Sequence, residues 1–113
     1  MTRNDPALIA FLEEQRADYT RSLPRRLEQV RLLWQQVLRG EDRAQALPTL
    51  ERLAHSLAGS AATFGWAELG LAAQALELAL SPHVGTDQAL APEVQAEVGR
   101  AVEELQQRFH GAA

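Results

Sequence analysis

Cysteine is absent from this 113-residue chain, which excludes disulfides, thiolate nucleophiles and zinc sites with sulfur ligands. Lysine is absent as well. All 11 basic residues are arginines, spread along the chain against 15 acidic residues for a net charge of −4, so neither a basic footprint for nucleic acid nor a polybasic membrane anchor is present. Aromatic residues make up only 5%, with 7 glycines and 5 prolines, and β-branched residues are scarce. Leu, Ala, Glu, Gln and Arg dominate instead, which favours helices over strands. No apolar run approaches the roughly 20 residues needed to cross a bilayer. The first nine residues carry a helix-start signal and no apolar stretch of signal-peptide length, so the expected location is the cytoplasm.

What is present suffices for one core. Apolar residues account for 46% of a chain of ordinary domain length, and the expectation is a single all-α domain over 1–113. Asp5-Pro6 reads as an N-cap followed by proline at the first helical position. A first helix is expected from 6 to about 22, with Leu8, Leu12 and Tyr19 at helical spacing but Gln15 interrupting the stripe, so its burial should be partial. Leu23-Pro24 predicts a boundary, because the residue before proline is pushed out of the α region. A second helix then presents Leu27, Val30, Trp34 and Val37 and ends at Gly40. Pro48 is expected to open a third helix carrying Leu50, Leu53, Leu57 and Phe64. After Gly65 a fourth helix, 66–80, places Leu69, Ala72, Ala73, Leu76 and Leu80 on one side, and its short connection requires an antiparallel neighbour. The stretch 81–91 is a Pro/Gly loop, and Pro92 starts a last helix with Val94, Val98, Ala101, Val102, Leu105 and Phe109 inward. No repeat or low-complexity tract is present.

The third helix carries the chemistry. At about 100° per residue, Leu50, Leu53, Leu57 and Phe64 fall within about 40° of the direction opposite His55, so the imidazole points away from the core. Along its own face lie Ala58, Gly59 and Ala62, a strip nearly without side chains on which another protein's backbone can approach closely enough for in-line transfer to a nitrogen. A glycine inside a helix costs about 1 kcal/mol relative to alanine, and close approach gives Gly59 a reason. Histidine is the side chain that is both titratable near neutral pH and nucleophilic when neutral. Arg52, three residues before it, is placed to offset phosphoryl charge, and Glu51 lies on the other flank. Taken alone, an exposed histidine is an ordinary solvated residue.

His83 and His110 lie in a loop and at a helix end, where structural or incidental roles suffice. The Glu51 and His55 pair points outward, unlike the inward Glu and His sets of metal-binding bundles, so no metal site is expected. Trp34 belongs to the core, and Trp66 either caps the bundle end or lies partly exposed. Arg21, Arg25, Arg26 and Arg31 form a solvated face.

The stretch His55-Ser56-Leu57-Ala58-Gly59-Ser60-Ala61-Ala62-Thr63-Phe64-Gly65 resembles the signature of histidine-containing phosphotransfer (HPt) domains, His-x-Leu-Lys-Gly-Ser followed by small residues and a glycine. Leu69, Ala73, Leu76 and Glu77 resemble the family's next helix, and Tyr19, Leu23-Pro24 and Leu27 its preceding one. The resemblance implies an antiparallel up-and-down four-helix bundle with an additional N-terminal helix. It implies that His55 accepts a phosphoryl group on Nε2 and exchanges it with an aspartate of a response-regulator receiver domain, with a hybrid histidine kinase as a further partner in two-component signalling. The chain would be a carrier without turnover, needing no cofactor of its own, because the receiver supplies Mg²⁺. By position, Gly59 would serve close docking, while Ser60 and Ala61 would pack where larger side chains push the helix outward; Arg52, Ala58 and Ala62 complete the surroundings. The family's lysine is replaced by Ala58, so the local cation is missing or comes from Arg52. The competing readings are a non-phosphorylated adaptor that blocks a receiver or kinase, and a structural or dimerising bundle that would use an exposed apolar edge such as Leu71 and Leu78. A monomer is the expected state.

Overall fold

The computed structural model describes residues 5–111; the stretch 1–4, part of the segment read for a leader, lies outside them. Four α-helices follow in order, α1 Pro6–Arg39, α2 Arg43–Ser60, α3 Ala67–Leu80 and α4 Pro92–His110. Short 3₁₀ turns, Ala62–Phe64 and Ser81–His83, follow α2 and α3. Helix α2 packs against α1 and α3, α3 also against α4, and α4 closes the ring onto α1.

The additional N-terminal helix expected from the sequence does not exist as a separate element. The structure has no break at Leu23-Pro24: the two expected helices are one 34-residue helix with Pro24 inside it. A proline in a helix interior costs about 3 kcal/mol through its lost hydrogen bond and ring clash. Burial on both sides offsets this, because Tyr19, Leu23, Leu27 and Val30 are all in the core and each large apolar side chain contributes about 1.5–3 kcal/mol. Pro24 itself is exposed, so its ring faces solvent. Pro48 likewise does not open its helix. Helix α2 starts five residues before Pro48, because burying Ala46 and Leu47 draws 43–47 into helical form and the Asp42 carbonyl accepts from the amides of Gln45 and Ala46. At its other end α2 stops at Ser60, so Phe64 sits in the following turn and not on the helix, where it stacks on Tyr19 with ring centroids 4.6 Å apart.

Other signals act as read. The Asp5 carboxylate accepts from the Ala7 amide at 2.9 Å, and Gly40 and Gly65, at φ 73° and 90°, turn the chain after α1 and after the 3₁₀ turn that follows α2. The expected stripes of α1 beyond residue 26, of α3 and of α4 face the core, whose largest fully buried members include Leu23, Leu47, Leu50, Leu57, Leu69, Leu76, Leu80 and Leu105. No polar or charged side chain among the described residues is buried. Because α1 is about 51 Å long at 1.5 Å per residue and α2 about 27 Å, α1 outruns the bundle, and residues 6–18 are exposed throughout.

Candidate functional site

The site is built where α2 and α3 converge. Leu50, Ala54 and Leu57 hold one side of α2 in the core, and the helical period then turns His55 outward, its side chain 75% exposed. Beyond it α2 approaches α3 closely because both helices are small at the crossing: a Cβ placed on buried Gly70 would lie 3.5 Å from the Ala61 Cβ and 3.6 Å from the Ala62 amide nitrogen. The result is an open groove of about 300 Å³ lined by His55, Ala58, Gly59 and Ala62 from α2 and its turn, and by Ala67, Gly70, Leu71, Gln74 and Glu77 along α3.

Across this groove Nδ1 of His55 lies 2.5 Å from a carboxylate oxygen of Glu77. An ionised carboxylate only accepts, so in the neutral ring this pairing favours the tautomer with the proton on Nδ1 and the lone pair on Nε2. Among the described residues no protein atom hydrogen-bonds Nε2. Glu77 is itself only 23% exposed, and it reaches the ring from the same face of α3 that carries Gln74, three residues back, and Gly70, four before that. Glu77 is the site residue that sequence reasoning missed as a partner of His55. Its face of α3 is legible from spacing, but the register that sets it opposite His55, 22 residues away, is not.

The other candidates divide between the two flanks of α2. Ala58, Gly59 and Ala62 floor the groove, and the space where a Gly59 Cβ would sit is open to 4 Å. Ser60 faces away from it: its hydroxyl donates to the Ser56 carbonyl at 2.7 Å and accepts from the Tyr19 hydroxyl at 2.8 Å, tying the last turn of α2 to α1. Arg52 does not line the groove, and its guanidinium donates to Thr49 Oγ1 at 3.3 Å, one turn back. The Glu51 carboxylate accepts from the Ser81 hydroxyl at 2.8 Å. The turn after α2 is fixed by Trp66, whose amide donates to the Ala61 carbonyl and whose indole N–H donates to Thr20 Oγ1 at 2.9 Å. Trp66 is half-buried against Phe109 and therefore caps the bundle end. Trp34 is in the core. Among the described residues no three His, Asp or Glu side chains gather as a metal site would require, and no helix is long and apolar enough to cross a membrane.

The site therefore offers an exposed imidazole, bound to a carboxylate through one nitrogen and open at the other above a floor of small residues. The sequence matches the Hpt domain family over residues 11–108, nearly the whole chain, and the protein belongs to that family. Membership implies a phosphotransfer role in two-component phosphorelay, as a phosphocarrier module that meets receiver domains and kinases. Neither a curated protein nor a solved structure matches the chain.

Proposed function

We propose that the protein is a phosphorelay intermediate in which His55 accepts a phosphoryl group on Nε2 and exchanges it with the aspartate of a response-regulator receiver domain. The observation that carries this reading is the Glu77 carboxylate on Nδ1, which supports the tautomer with a free Nε2 lone pair directly beside the side-chain-poor floor. In the forward step that lone pair attacks phosphorus of an aspartyl phosphate. The N–P bond forms, the bond from phosphorus to the aspartate oxygen breaks, and its electron pair leaves with the aspartate carboxylate. No proton needs to depart. The ring becomes cationic, and the Glu77 carboxylate offsets that charge through the hydrogen bond it accepts from Nδ1–H. The reverse step retraces the same path, so the chain carries the group without turnover of its own.

Charge on the moving phosphoryl group needs cations that this chain supplies sparingly. Ala58 stands where the family has lysine, and Arg52 is engaged with Thr49. Most of the compensation, including Mg²⁺, therefore falls to the receiver's own acidic pocket. We assign Arg52 a long-range screening role. Gly59, Ala58 and Ala62 act by leaving room, and Ser60 by anchoring the turn on which that floor is built. The connections at 40–42 and 61–66 are of the length that joins antiparallel neighbours, so the chain is assigned an up-and-down course as one domain over 1–113, acting as a cytoplasmic monomer. Ala58 also supports the second reading, an adaptor that binds a receiver or kinase without being phosphorylated.

Labelled phosphoryl transfer from a phosphorylated receiver domain separates the two. The carrier predicts label on the wild type and none on His55→Gln, in a position stable to base and labile to acid as a phosphoramidate is. An adaptor would bind the receiver in both forms and take label in neither.

A further inference from the structure

Helix α3 shows two leucines to solvent, Leu71 at 61% and Leu78 at 66% exposure, the highest among the large apolar side chains of the described residues. Seven residues apart, they lie on one ridge about 10.5 Å long. The α3 residues between them on the solvent side are Gln74 and Ala75, both uncharged, while Glu77 is turned toward His55. Core packing does not use this ridge, since α3 buries Leu69, Ala72, Ala73, Leu76 and Leu80 instead. Leu71, however, is itself a wall of the groove that holds His55.

From this placement we infer that the Leu71 and Leu78 ridge is the anchor by which the phosphoryl-exchanging receiver recognises this chain, fitting a weakly charged apolar patch beside the receiver's aspartate. The inference rests on the carrier reading, because only a partner reaching Nε2 must cover that groove. Any body that brings a phosphoryl group to His55 above Ala58, Gly59 and Ala62 also comes down on Leu71, and continuing along α3 it meets Leu78. A second copy of the chain is the poorer fit: a stable dimer buries about 800 Å² on each partner, and two leucines with a glutamine and an alanine between them fall well short of that area. The side of His55 toward the start of α2 is polar instead, with Arg52 exposed and Glu51 tied to Ser81, so the apolar contact is one-sided and sets the partner's orientation.

The test compares two phosphoryl donors on the full chain, the small molecule phosphoramidate and a phosphorylated receiver domain. Both leucines are largely in water, so Leu71→Asp and Leu78→Asp leave the fold intact, checked by circular dichroism and thermal melting. The expected result is labelling of His55 by phosphoramidate within twofold of wild type in Leu78→Asp, which lies outside the groove, while the phosphoramidate rate of Leu71→Asp is the baseline against which its receiver transfer is normalised. Transfer from the receiver should fall at least tenfold for Leu71→Asp and less for Leu78→Asp, as truncation of an interface anchor does. Leu71→Met should restore most of it. Leu38→Asp, on an exposed leucine of α1 outside the groove, should leave both donors unaffected. Receiver transfer that is unchanged in Leu71→Asp, while wild type is active and His55→Gln is not, overturns the inference and leaves the carrier reading standing. A wild type that sediments as a dimer and becomes monomeric in Leu71→Asp also overturns it, since the ridge is then a seam between copies. If the wild type takes no label from the receiver, both readings fall together.

Discussion

Glu77 reaches across from α3 to place a carboxylate oxygen 2.5 Å from Nδ1 of His55 on α2, and in the neutral ring this contact favours the tautomer whose Nε2 is free. The two residues are on different helices, so the imidazole's orientation is a property of the helix pair. Anything that shifts α3 along α2 changes the chemistry of His55 without touching it.

Replacing Glu77 by Gln keeps the size of the side chain but removes the charge and allows the amide to donate as well as accept. Charge-assisted hydrogen bonds contribute about 1.5–3 kcal/mol, so transfer to His55 should slow by roughly tenfold or more. Nitrogen NMR of the imidazole should show a mainly Nδ1-protonated ring in the wild type and a mixture of tautomers in the variant. An unchanged tautomer ratio together with an unchanged rate would remove Glu77 from the mechanism.

Gly59 offers a separation of stability from function. A Cβ there meets nothing within 4 Å, so Gly59→Ala should raise the free energy of unfolding by up to about 1 kcal/mol through helix propensity alone, measured by urea titration. Gly59 is exposed, so a large side chain extends from this open position into the space above the floor. Gly59→Leu should therefore fold normally, accept label from phosphoramidate, and lose transfer from a receiver. Full transfer in Gly59→Leu would mean that the partner does not use this ground.

Pro24 tests how far burial overrides a local signal. In an α1 that is continuous through this position, Pro24→Ala regains a helical N–H and removes a ring clash, at the cost of a more flexible unfolded chain. The expected net gain is about 1–2 kcal/mol with no change in phosphotransfer. A loss of stability would show that the proline's rigidity contributes more than the hydrogen bond it forgoes.

The outward direction of His55 was readable without coordinates because the 3.6-residue period ties it to Leu50 and Leu57, and apolar side chains leave water wherever they can. The starts of α3 and α4 lie close to their expected limits for a different reason: Gly65 and Pro92 act through backbone geometry, which needs no partner. Pro24 and Pro48 misled because proline's cost is local while the gain from burying Leu23 or Leu47 is not. Propensity is a weak prior wherever a core lies against the segment.

What the chain's order of residues determined by itself was therefore an all-helical protein with one exposed imidazole above a strip of alanine and glycine, since periodicity and side-chain size are properties of a single helix. Only the tertiary structure decided that Glu77 holds that imidazole, that Ser60 turns to Tyr19, and that Leu71 walls the groove. Those contacts join residues 22, 41 and 16 positions apart: small side chains at Ala61 and Gly70 let α2 and α3 approach closely at the register that sets the first and third, and the Ser60 to Tyr19 contact depends on how α2 lies against α1.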